Sequence, residues 1–183
     1  MKNSVGILSS FVRGNFGQII SRFTWQLPQQ ALGVLGGNIR NFAGDIRNIS
    51  HSNGAILIET NSRGWGGFTL GSVIQAQRFT TIRSDLYGHE YGHYLQSQRL
   101  GPAYLPGIAL PSLGSAAFNN YQGHSRFYTE RWADRLSERF FDNRTEDERA
   151  KDRQRLQELI QKAKDNDGTW RRQDEEEEDE FER

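Results

Sequence analysis

The chain has 183 residues, 35 % of them hydrophobic, with 23 Lys+Arg against 23 Asp+Glu and no cysteine. That length suits one domain with an appendage, and the missing cysteines exclude disulfides and thiolate metal sites. The zero net charge hides a split: residues 1–88 carry 8 Lys+Arg against 3 Asp+Glu, residues 89–140 carry 5 against 4, and residues 141–183 carry 10 against 16.

Residues 1–50 are rich in Gly, Asn and Arg, with scattered apolar positions. The opening Met1-Lys2-Asn3-Ser4-Val5-Gly6-Ile7-Leu8 lacks a signal-peptide h-region and cleavage site, so the compartment is left open, export included. Residues 29–42 are expected to form a helix interrupted by Gly33, Gly36 and Gly37. Residues 54–60, Gly-Ala-Ile-Leu-Ile-Glu-Thr, read as a buried strand, residues 61–67 as a turn, and residues 68–76 as a second strand pairing with the first in a β-hairpin. Ser84 or Asp85 can cap a following helix. The apolar stretch from Tyr104 to Phe118 contains Pro106 and Pro111, is too short to span a bilayer, and is expected to be a buried connection under the active-site helices. A second helix is expected from about Ser125 to Phe141. Residues 1–143 form the domain in this reading. Residues 144–183 form a charged appendage, with a helix over Thr145–Lys164 opened by a capping box and a self-repelling run of acids at 174–180. No apolar run reaches the length of a membrane span, and the cations are dispersed with no aromatic-interleaved cluster, so no nucleic-acid partner is expected.

The chemistry lies in His89-Glu90-Tyr91-Gly92-His93, which reads H-E-x-x-H. On a helix, residues four apart share a face, so His89 and His93 can offer two imidazoles to one metal ion with Glu90 beside it. Neutral imidazoles suit zinc, which lowers the pKa of bound water toward about 7. A catalytic zinc usually takes three protein ligands and keeps one position open. Gln96 and Arg99 stand where a metzincin would carry its glycine and third histidine, which excludes that class. The candidates for the third ligand are His124 and Glu130. Glu130 and Asp134, in Glu-x-x-Ala-Asp, share a helical face, and Asp134 can fix the tautomer of a ligating histidine through its far nitrogen. Tyr121, His124, Arg126 and Tyr128 are candidates to stabilise an oxyanion.

H-E-x-x-H with a Glu-x-x-x-Asp helix resembles the gluzincin class of zinc metallopeptidases. The resemblance implies an α+β, zincin-like fold, with a β-hairpin or small sheet packed on the H-E-x-x-H helix and on a second, glutamate-bearing helix. It implies His89, His93 and Glu130 as zinc ligands, Glu90 as general base and Asp134 behind a ligand. In that class an edge strand above the helix pairs with extended substrate backbone; here the strand either does this or only roofs the core. A narrower resemblance covers residues 20–141. The segments Arg22-Phe-Thr-Trp-Gln-Leu-Pro-Gln-Gln, Asn53-Gly-Ala, His89-Glu-Tyr-Gly-His-Tyr-Leu-Gln-Ser-Gln, Ile108-Ala-Leu-Pro-Ser-Leu and Tyr128-Thr-Glu-Arg-Trp-Ala-Asp look like C-terminal domains of bacterial Rhs-repeat and polymorphic-toxin-like proteins. It implies a toxin or effector domain, a peptide or protein substrate, and a cognate inhibitor or immunity protein as partner. Two other classes fit the same motif: a metal-dependent hydrolase of a non-peptide bond, and an inactive binding module stabilised by zinc.

Overall fold

A computed structural model describes residues 2–118, 121–141, 150, 151, 154, 157, 158 and 160–162; the side chains of Lys2, Tyr121 and Gln122 lie outside this description. The chain divides into two units, Met1–Asn143 and Arg144–Arg183. In the second unit the described positions are helical, while the capping box and the acidic run lie outside the described residues.

The first unit is α+β, mostly helical around a small sheet. Its N-terminal part forms three helices: α1 (Lys2–Leu8), α2 (Phe16–Phe23) and α3 (Leu27–Phe42), the last being the helix expected over residues 29–42. A capping box at α2, in which Asn15 accepts from the Gln18 N–H and Gln18 accepts from the Asn15 N–H, explains where that helix starts. Strand β1 (Ile46–Ser52) then pairs antiparallel with β2 (Ala55–Thr60) through Asn53-Gly54, both with positive φ, as a two-residue hairpin with right-handed twist requires.

The expected hairpin of residues 54–60 with 68–76 does not form. Residues 68–76 break into β3 (Gly67–Leu70) and β4 (Val73–Ala76), which pair with each other antiparallel. The break has a cause in α3: Gln30 Oε1 accepts from the Ser72 N–H at 2.8 Å and its hydroxyl at 3.0 Å, holding Gly71-Ser72 as a turn. Strand β4 therefore returns beside β2 in parallel, Ile56 opposite Val73, and the sheet order is β1-β2-β4-β3. Strand β3 is left at an edge.

The sheet divides the interior by strand alternation. Ala55, Leu57, Ile74 and Ala76 pack with Tyr87, Tyr91 and Tyr94 of α4 (Asp85–Leu100). Ile56, Ile58 and Val73 face the other way, onto Ile7 of α1 and Val34 of α3. Strand β2 is thus buried on both faces, which explains its unbroken apolar run. Three contacts pin the β1–β2 turn to α4. The Tyr87 and Tyr91 hydroxyls donate to Ser52 O and Asn53 O, and the buried Arg22 donates to Gly54 O at 2.6 Å and to the Tyr94 hydroxyl at 2.7 Å.

After α4 come a π-helical turn (Leu105–Ala109), α5 (Leu110–Phe118), α6 (Tyr121–Ser125) and α7 (Tyr128–Phe141). The second helix expected from about Ser125 to Phe141 is α7, which starts three residues later, after the short α6. The stretch from Tyr104 to Phe118 also departs from the expectation of a buried connection. Tyr104, Ile108 and Ser115 are buried, but Leu110, Leu113 and Phe118 are exposed. A helix of this length buries one face, and here the other face is apolar too.

Candidate metal centre

The Ser84 side chain accepts from the Tyr87 N–H and starts α4, so Ser84 and not Asp85 is the cap. Helix α4 carries His89, Glu90 and His93; α7 carries Glu130 and Asp134. Gly92 sets how close the two helices come: a Cβ there would lie 2.6 Å from the carbonyl carbon of Ala133 and 2.9 Å from its Cα. Only glycine lets α7 approach closely enough for Glu130 to reach both imidazoles. Thr129, Glu130, Ala133, Leu136 and Ser137 form the buried face of α7.

Glu130 Oε2 lies 3.0 Å from His89 Nε2 and 3.2 Å from His93 Nε2. These residues form a group that can hold a metal ion, with donor atoms all within 4.8 Å of one another. Each donor's far side is engaged. His89 Nδ1 meets Asp134 Oδ1 at 2.7 Å. His93 Nδ1 meets Gln96 Oε1 at 2.7 Å, while Gln96 Nε2 donates to Thr129 O at 2.8 Å, so the Gln96 oxygen is left to accept from the ring. Glu130 Oε1 accepts from Ser112 Oγ at 2.6 Å and Thr129 Oγ1 at 2.7 Å. Both imidazoles thus have Nδ1–H as donor and turn Nε2 toward Glu130 Oε2, where a metal ion could replace the shared proton.

A tetrahedral ion with bonds of about 2.0–2.1 Å sets its donors about 3.3 Å apart, close to the spacing of Glu130 Oε2 from the two imidazoles. The donor set therefore fits a small divalent ion. Burial of the His89 imidazole opposes its protonation, but hydrogen bonds to Asp134 and Glu130 outweigh it and push the pKa up to about 10. Burial would raise the Glu130 carboxyl, but hydrogen bonds from His89 and His93 hold it far below the usual carboxylate range. Without an ion, a proton bridges the cluster; an ion takes that proton's place.

Glu90 is 3 % exposed, and its Oε2 accepts from Thr69 Oγ1 of β3 at 2.7 Å. Across the β3–β4 ladder Gly66 O accepts from Gln77 N, so by alternation the backbone groups of Gly67 and Thr69 face the open edge. The buried Tyr104 hydroxyl occupies Thr69 O at 2.8 Å.

Of the oxyanion candidates, His124 has Nε2 at 3.8 Å from Glu130 Oε2 and a buried Nδ1 with no partner. Tyr128 donates its hydroxyl to Gly107 O at 2.6 Å, and Arg126 is exposed. The Tyr121 side chain lies outside the described residues. Sequence reasoning missed Gln96, Ser112 and Thr129. Gln96, three residues after His93, was the one within reach, since that spacing puts it on the same helical face.

No family model, curated protein or solved structure matches the chain. Among the described residues, no helix is long and apolar enough to cross a membrane.

Proposed function

We propose that this protein is a zinc metallopeptidase of zincin-like architecture, with His89, His93 and Glu130 as ligands and Glu90 as general base. The observation that carries the reading is the convergence of two Nε2 atoms and one carboxylate oxygen, each held from behind by a separate partner. That is the donor set and tautomer state zinc requires. When bound, zinc polarises a carbonyl and makes water nucleophilic near neutral pH.

The chain's own residues do the rest. An extended substrate laid against the β3 edge is held by the outward main-chain groups of Gly67 and by the Thr69 N–H, with little sequence demand. Thr69 Oγ1 holds one oxygen of Glu90, leaving the other to act. Glu90 takes a proton from water as the water oxygen attacks the scissile carbonyl carbon. It passes that proton to the amide nitrogen as the C–N bond breaks, so carboxylate and amine are released. His124, with Nε2 3.8 Å from Glu130 Oε2, is the donor assigned to the oxyanion.

The test is cleavage of unfolded protein substrates that stops with chelator and recovers with zinc. Retained metal without cleavage, and with His124 as a fourth ligand by X-ray absorption, would favour a zinc-stabilised binding module. Cleavage of only a non-peptide bond would favour the other hydrolase reading. In the toxin-like reading a cognate inhibitor accompanies the domain in its producer; co-purification from the native host that finds no partner counts against it.

A further inference from the structure

The edge of β3 is not open along its whole length. Its outward main-chain groups belong to Gly67 and Thr69, and the two ends of this short stretch differ. Beyond Gly67, a Cβ on Gly64 or Gly66 would meet nothing within 4 Å, so a bound chain can leave freely past these residues. At the Thr69 end stands Tyr104. Its hydroxyl donates to Thr69 O at 2.8 Å, in the place where the N–H of a paired strand would lie. Tyr104 is 2 % exposed, and its backbone follows the turn Gly101–Ala103, which Gln29 Nε2 ties to α3 through Gly101 O at 2.9 Å. Burial, with the nearby Glu90 and Glu130 carboxylates, pushes the Tyr104 hydroxyl well above the ordinary phenol value, so it remains a donor. Tyr104 is thus packed in place as a stop.

The stop lies close to the reacting centre. A Cβ on Gly67 would be 2.8 Å from Glu90 Oε1, so Glu90 stands level with Gly67. The bond to be cut then lies at the Gly67 rung, and Thr69 is two residues further on, about 7 Å along the strand. One residue of an extended substrate fits opposite Phe68 before the chain meets Tyr104. The Thr69 N–H can still donate to that residue, but Thr69 O is taken and the tyrosine ring fills the path beyond it.

We propose, building on the metallopeptidase reading, that Tyr104 closes one end of the cleft and makes the protein an exopeptidase that releases about one or two residues from a peptide terminus. The zinc-loaded full chain is given unstructured linear peptides and head-to-tail cyclic peptides of the same sequences, with products read by mass spectrometry. Linear peptides are expected to shorten stepwise from one end. Cyclic peptides have no end to place against Tyr104, so their bonds sit out of line with Glu90 and should be cut at least about a hundredfold more slowly. Tyr104→Ala, checked for zinc content and circular dichroism, should cut cyclic and linear peptides at similar rates; if that variant does not fold, the wild-type products decide alone. Wild-type protein that cuts both kinds of peptide equally well overturns the stop and leaves the metallopeptidase reading standing. So does a folded, zinc-loaded Tyr104→Ala that still only trims ends. Zinc-loaded wild type that cuts neither kind overturns both.

Discussion

The first unit buries two polar clusters that differ in kind. Around α3, Gln26, Gln29 and Gln30 bond to Ser21, Ser97, Gly101, Ser10 and Ser72, with neutral donors and acceptors throughout. Between α4 and α7, two imidazoles and a carboxylate crowd their ligating atoms onto one point while every far atom is held. Neutral pairs of the first kind satisfy one another, Gln29 Oε1 excepted, and carry no charge that calls for an ion. Ionisable groups of the second kind satisfy one another only by sharing a proton, and they are preorganised to exchange it for a cation. Burial of polar atoms does not by itself mark a site; convergence with support from behind does.

Several substitutions can break or sharpen this contrast. The largest effect is expected from Glu90→Gln, which should lower kcat about a thousandfold while metal content and melting temperature hold. Normal turnover would remove Glu90 from the mechanism. Next, Gly92→Ala should cost about 3 kcal/mol in denaturant unfolding and lower metal content, because the new methyl forces α7 away. Gly88→Ala is its control: its Cβ would meet only Ser137 Oγ at 3.4 Å, so the helix-propensity gain of about 1 kcal/mol should show. Equal effects at both positions would refute the close approach at Gly92.

Replacing Gln96 with Leu, or Asp134 with Ala, should weaken zinc binding by about 10- to 100-fold in competition titrations. Gln30→Ala, in the neutral cluster, should cost about 1–3 kcal/mol of stability and leave zinc affinity unchanged. If Gln30 moved zinc affinity as much as Gln96 does, the distinction between the clusters would fail. The smallest effect is in pH. The metal-free fold holds a proton on His89 with a pKa of about 10, above the ordinary 6.5. Its stabilisation is full below about pH 6.5 and is lost as pH rises through about 10. The same proton competes with metal, so zinc affinity should rise about tenfold per pH unit between about pH 7 and 9, with about one proton released in calorimetry.

Much of the centre was legible because it depends on helical spacing. His89 and His93, and separately Glu130 and Asp134, are four apart, and periodicity alone puts each pair on one face. Gln96 and Thr129 sit beside ligands on the same helices, whereas Ser112 reaches the site through tertiary packing. Ser112 in particular belongs to a stretch whose composition suggests a buried linker, yet it lies on a helix with an exposed apolar face. The sheet was misread for a similar reason. A run of nine residues looks like one strand until Gln30, 42 residues upstream, folds it at Ser72. Helices α1 and α2 were not read from the sequence, whereas α3 was, even though it is inverted, with Gly and Gln inside and Leu, Ile and Phe outside.

The most direct test of the central claim is elemental analysis of untagged protein never exposed to chelator, alongside Glu130→Ala, His124→Ala and Glu90→Gln. One zinc per chain is expected, lost in Glu130→Ala and retained in the other two. No metal in the wild type, with no rise in melting temperature when zinc is added, would contradict the account. So would a site emptied by His124→Ala but not by Glu130→Ala.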